Sequence, residues 1–166
     1  MAQAVIASTR ATCPGRLVGA VLVQDGAVRG TGYNGAPAGM PDCMEIGCDE
    51  DRNGHCIRAI HAEANVILTT DVAHRRDATV YCTDMPCFRC ANLLANTGIR
   101  RVVWARIFAK HADRVAALFS AKGIALEHYA LPQSATGGLL PPPQVLAALG
   151  LTLRSDQLAG QPLPAR

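Results

Sequence analysis

Residues 17–23 (LVGAVLV) form an unbroken apolar run of seven. A segment so short and so continuously apolar reads as a strand covered on both faces, since a strand with one wet face alternates. It is also too short to span a bilayer. The run, taken to residue 24, is followed by Asp25-Gly26, a hairpin turn signal, and residues 27–33 return as a second strand. Residues 34–57, rich in Gly, Pro, Asp and Cys, read as a long functional loop. A helix is predicted over 58–70, with Ile60, Ala64, Ile67 and Leu68 as its buried stripe. Then come a strand at 79–83, a helix at 87–97 closed by Gly98, and a strand at 101–105. A helix at 111–122 stopped by Gly123 and a strand near 124–129 complete the pattern. The order β-β-α-β-α-β-α-β predicts an α/β fold, a mixed sheet with helices packed on it.

At residue 131 the composition changes. The last 36 residues hold six of the ten prolines and only three charged side chains, Arg154, Asp156 and Arg166. Residues 1–130 are therefore read as the domain and 131–166 as a Pro-rich appendage, with 144–153 as a short apolar helix or strand within it. The opening MAQAVIASTR lacks a basic stretch followed by a long apolar one, so a cytoplasmic protein is expected. Net charge is +3 and the aromatics number seven, a weak footprint for a polynucleotide with few stacking platforms. The mild basic bias suits an anionic small molecule. Seven cysteines in such a chain point to metal or catalysis rather than to a disulfide framework.

Two short segments carry the chemistry: His61-Ala62-Glu63 and Pro86-Cys87-Phe88-Arg89-Cys90. Each opens a predicted helix. Cys87 and Cys90, three apart, share one helical face. With His61 they offer two thiolates and one imidazole to a tetrahedral zinc ion, and the open fourth position marks a catalytic site rather than a structural one. Glu63 lies about 200° around an ideal helix from His61, which places it beside the metal as a proton carrier and not among the ligands. Either segment alone is weak: P-C-x-x-C also occurs as a redox pair or half a zinc ribbon, and H-A-E occurs by chance. The two together, 26 residues apart with a strand between them, match the H-x-E…P-C-x-x-C signature of zinc deaminases.

GYNGAPAG at 32–39, HAEANVIL at 61–68 and TDMPCFRCANLLANTGIRRVV at 83–103 resemble the deoxycytidylate (dCMP) deaminase family, including its bacterial late-competence-operon members. The likeness runs from about residue 4 to residue 130. It implies a three-layer fold of the cytidine deaminase type, a mixed five-stranded sheet with helices on both faces. It also implies hydrolysis of dCMP to dUMP and ammonia: zinc lowers the pKa of a bound water and Glu63 carries protons to N3 and to the leaving amino group. In the family the Asn of GYNG contacts the nucleotide, so Asn34 is the expected substrate contact, with an Asn-Gly turn as its other reading. Arg16 is the nearest candidate partner for the phosphate, with a solvated arginine as the alternative.

The resemblance further reads Cys13, Cys43, Cys48 and Cys56 as a structural zinc site, with His55 able to replace Cys56. Four thiolates would close the shell, and buried free thiols are the other reading. Cys82 reads as a core residue, and His74, His111 and His128 as surface or structural. Homo-oligomers, commonly hexamers, and dCTP and dTTP as effectors are implied by the family. Two competing functions stand beside dCMP deamination. One is a zinc deaminase acting on another cytosine nucleoside or nucleotide or a modified pyrimidine. The other is a non-catalytic binding or regulatory member, against which the intact His61, Glu63, Cys87 and Cys90 argue.

Overall fold

The structure is a computed structural model and describes residues 1–107 and 111–131. Helix α1 (Ala2–Ser8) precedes a hairpin of β1 (Gly19–Gln24) and β2 (Ala27–Tyr33). A one-turn helix, α2 (Cys43–Ile46), lies in the long loop before α3 (Ala62–Thr69). Then β3 (Thr79–Asp84), α4 (Phe88–Ala95), β4 (Arg101–Arg106), α5 (Ala112–Ala121) and β5 (Ala125–His128) alternate. The five strands form one mixed sheet in the order β2-β1-β3-β4-β5. β1 is antiparallel to both its neighbours, and β3, β4 and β5 run parallel.

The expected alternation holds. Asp25 and Gly26 both take positive φ, as a tight two-residue hairpin turn requires. β1 is buried through Leu22. Ala20 and Leu22 join Val80, Cys82 and Val102 in a core capped by α3, α4 and α5, with Leu94 and Phe119 filling it. The opposite face carries α1, whose Val5 packs with Ala105 and Leu131. Helices thus cover both faces. Leu131, the first residue of the expected appendage, is buried against the domain; the rest of that segment, with its expected apolar element at 144–153, lies outside the described residues.

The helix expected over 58–70 is shorter and turned. It begins at Ala62, because Ile60 is held in an antiparallel bridge to Gly35. Its buried residues are Ala62, Glu63, Val66 and Ile67, whereas Leu68, expected in the core, is 71% exposed. The cause lies on β2. A methyl group on Gly32 would overlap the Ala62 carbonyl and the Val66 amide, and one on Gly30 would overlap Thr70. The helix backbone rests on these bare positions, so close approach to the sheet sets its rotation rather than the apolar spacing.

Candidate metal centre and active-site cleft

β3 and β4 are parallel, so the chain leaves both at the same edge of the sheet, where crevices of α/β proteins form. At that edge Pro86 turns the chain into α4, and Cys87 caps the helix with its Sγ accepting from the Cys90 amide at 3.5 Å. His61 stands at the corresponding N-cap of α3. The two helix starts meet: His61 Nδ1 lies 3.6 Å from Cys87 Sγ and 3.4 Å from Cys90 Sγ. All three donor atoms fall within 4.8 Å of one another. Nitrogen and sulfur ligands on one tetrahedral zinc stand about 3.6 Å apart at ordinary bond lengths. The donor set fits zinc.

The electrostatics agree. The Cys87 thiol is drawn down to about 3, first by its hydrogen bond with Cys90 and also by His61, while Cys90 is pushed well up by Cys87 and by burial. Two sulfurs in contact share one negative charge unless a cation joins them. His61 is raised, chiefly by Cys87. Glu63 is 4% exposed and lies outside the donor triad. Burial lifts its carboxyl to about 7, with His61 pulling the other way.

The triad opens into a cleft of about 620 Å³. Asn53, His55, Phe88, Arg89, His111 and Arg114 line it beside the three donors. Residues 1–106 match the family described as the cytidine and deoxycytidylate deaminase zinc-binding region. The chain belongs to this family. It is 44% identical over 112 residues to the deoxycytidylate deaminase of Mycobacterium phage D29, covering 61% of this chain and 87% of that protein. It is 35% identical over 138 residues to ComE operon protein 2 of Bacillus subtilis, covering 80% of this chain and 70% of that protein. The solved structure of the dCMP deaminase of cyanophage S-TIM5 in complex with dCMP and dUMP aligns with a TM-score of 0.64, over 76% of this chain and 91% of that one. At 22% identity that likeness establishes the fold.

A second donor group of this deaminase sits in the long loop. Asp42 and Glu45 form a reciprocal cap on α2, which fixes Cys43. Asp51 accepts from the amides of Asn53 (2.8 Å) and His55 (3.0 Å), and a bridge between Glu50 and Cys56 folds the chain back. Cys43, Cys48 and Cys56 consequently lie within 4.8 Å of one another, with Cys43 and Cys56 sulfurs 3.6 Å apart. Burial and the neighbouring thiols push Cys43 up to about 12. Cys13 is outside this triad, although it is among the neighbours that raise the Cys48 thiol. His55 Nδ1 lies 3.5 Å from Asp51 Oδ1, and His55 also lines the cleft beside the His61 triad.

Both expected substrate contacts meet groups of the fold itself. Asn34 is buried, and its amide is spent on backbone: Oδ1 accepts from Val18 (2.8 Å) and Nδ2 donates to the Arg16 carbonyl (2.8 Å). The Arg16 side chain lies 2.6 Å from Asp84, which also meets Arg106 at 2.7 Å and accepts from Thr83 Oγ1 at 2.9 Å. Neither Asn34 nor Arg16 lines the cleft. This buried carboxylate instead ties the approach to β1 to the end of β3, just ahead of the Met85-Pro86-Cys87 turn. Cys82 is fully buried, as expected. His74 meets Gln24 at 2.9 Å and His128 packs on Trp104, while His111, expected as surface or structural, is exposed and lines the cleft. Phe88, Arg89, His111 and Arg114 were missed as cleft residues; the available signal was that the loops after two parallel strands share one edge.

Proposed function

We propose that this protein hydrolyses dCMP to dUMP and ammonia in the cleft, with His61, Cys87 and Cys90 holding a catalytic zinc ion and Glu63 carrying the protons. The observation that supports it most is the convergence of one imidazole and two thiols from two helix starts, with a buried carboxylate two residues beyond the imidazole. A zinc ion held there would supply Lewis-acid polarisation and ionise a water near neutral pH. Glu63, which burial in the metal-free chain raises above the ordinary carboxylate range, accepts a proton from the attacking water and delivers it to N3 of cytosine. A carbon–oxygen bond forms at C4. Glu63 then moves a second proton from the new hydroxyl to the exocyclic amine, the C4–N bond breaks and ammonia departs. Helices α3 and α4 orient the ligands, and the sheet edge beneath them keeps Glu63 out of bulk water.

The proposal extends to a structural zinc at Cys43, Cys48 and Cys56, completed by Cys13. The cap on α2 and the Asp51 turn gather three of those thiols, and a fourth closes the shell. Residues 131–166 are an appendage that carries none of the machinery. Assembly into homo-oligomers and control by dCTP and dTTP belong to the same reading. No helix among the described residues is long and apolar enough to cross a membrane, in keeping with a cytoplasmic enzyme.

An ammonia-release panel over dCMP, CMP, dCTP, deoxycytidine, cytidine and a short single-stranded DNA tests the substrate. A charge-assisted phosphate contact is worth about 1.5–3 kcal/mol, so dCMP should exceed deoxycytidine by at least ~10-fold in kcat/KM. Equal or better turnover of the nucleoside would transfer the assignment to another cytosine substrate.

A further inference from the structure

Arg16 does not line the cleft and its Nε lies 2.6 Å from Asp84, so the cations that line the cleft itself are the first candidates for the phosphate of a nucleotide bound there. The lining supplies Arg89, on α4, and Arg114, on α5, the helix that follows β4. Arg114 is the better placed. Its guanidinium carbon sits 4.4 Å above the centroid of the Phe88 ring, and Phe88 directly follows the donor Cys87. It makes no hydrogen bond or ion pair among the described residues.

Stacking on an aromatic face restrains a guanidinium through its flat surface and leaves the in-plane N–H fork available. That fork matches two oxygens of a phosphate, and holding it in place beforehand reduces the ordering cost of binding. A neutral nucleoside has nothing to offer it. We propose that Arg114, seated on Phe88, binds the 5′-phosphate of the substrate and thereby selects a nucleotide over a nucleoside. The assignment rests on the dCMP reading and adds to it a residue that no feature of the motifs indicates. Phe88 serves two ends: its backbone continues the donor turn, and its ring is the shelf for the cation.

The test uses the zinc-loaded full-length chain. The quantity read is the ratio of kcat/KM for dCMP to that for deoxycytidine, in wild type, Arg114→Gln and Arg114→Lys, with dUMP affinity from calorimetry alongside. Arg114→Gln should lower the ratio at least ~10-fold, chiefly through KM for dCMP, and weaken dUMP binding by a similar factor. Arg114→Lys keeps a point charge and should fall between the two. A wild-type ratio near one overturns the dCMP reading and this assignment together. A high wild-type ratio that Arg114→Gln leaves unmoved overturns Arg114 alone, as does a loss shared equally by both substrates, which would mark a wall residue. A lysine variant as good as wild type overturns the role of the stacked fork.

Discussion

Gly32 on β2 lies directly against Ala62 on α3, so closely that a methyl group on the glycine would overlap the Ala62 carbonyl. Ala62 stands between His61 and Glu63, the proposed ligand and the proposed proton carrier. The bare backbone of one strand residue thus sets the height and rotation of the catalytic helix start.

Gly32→Ala should destabilise the protein by about 1–3 kcal/mol, because the obstructing atoms are backbone and cannot move aside. It should also reduce turnover by displacing His61 and Glu63. A urea melt with a parallel rate assay checks both. Unchanged stability would mean that α3 has room to lift off the sheet.

Glu63→Gln should retain zinc and bind nucleotide while losing at least ~10²-fold in turnover, the general acid–base contribution. Elemental analysis with kinetics on dCMP decides it. Near-normal turnover would remove Glu63 from the mechanism.

The same variant predicts a pH dependence of stability. Burial raises the Glu63 pKa from 4.5 to about 7. The folded metal-free chain therefore holds this proton more tightly than the unfolded chain does. The stability it contributes is present in full below about 4.5 and is lost as pH rises through 7. Metal-free Glu63→Gln escapes that loss. At pH 8 it should be more stable than metal-free wild type by up to about 3 kcal/mol, and at pH 4 the two should melt alike. Coincident melts at both pH values would show that the carboxyl is not desolvated.

Elemental analysis should find two zinc ions per chain. Cys87→Ser should abolish activity and leave the loop zinc in place. Cys48→Ser should lose the loop zinc; a loss of about 3 kcal/mol lowers Tm by roughly 10 °C in a chain of this size. Cys13→Ser should behave like Cys48→Ser, and His55→Ala should keep both ions because its imidazole is directed to Asp51. One zinc per chain with a silent Cys13→Ser would leave the loop cysteines as free thiols.

Removing residues 133–166 should leave zinc content and dCMP turnover within about twofold, since none of the motifs lies there and Leu131, which packs on Val5 and Ala105, is retained. A folded truncation without activity would place part of that segment at the cleft.

The parts of the site that share a short stretch of chain were legible in the sequence. Cys87 and Cys90 are three residues apart on one helix start, and their conjunction with His61-Ala62-Glu63 predicts a common metal ion. The order of elements was equally readable, since continuous apolar runs mark doubly covered strands and the Asp25-Gly26 turn carries its own dihedral requirement. The core face of α3 was legible only at Ile67, which is buried as the stripe requires. Ile60, Ala64, Ile67 and Leu68 satisfy a helical stripe, yet Ile60 pairs with Gly35 and Leu68 faces solvent, because the packing partner is a pair of glycines 30 residues upstream.

Asn34 and Arg16 show the same limit in polar form. Their residue types suit a nucleotide, and in the fold the buried Asn34 amide and the partly exposed Arg16 guanidinium also find partners that the sequence does not announce. Here those partners are the backbone of residues 16 and 18 and the carboxylate of Asp84.

By itself, the sequence determined the α/β class, the zinc-binding donor types and the family, because each depends on local periodicity or on residues a few positions apart. Tertiary structure alone decided which cations reach the cleft, how α3 is turned, and that Cys13 stands outside the triad of loop thiols. Those outcomes follow from contacts between distant segments, and parallel strand exits, bare glycine faces and buried carboxylates leave no periodic trace along the chain.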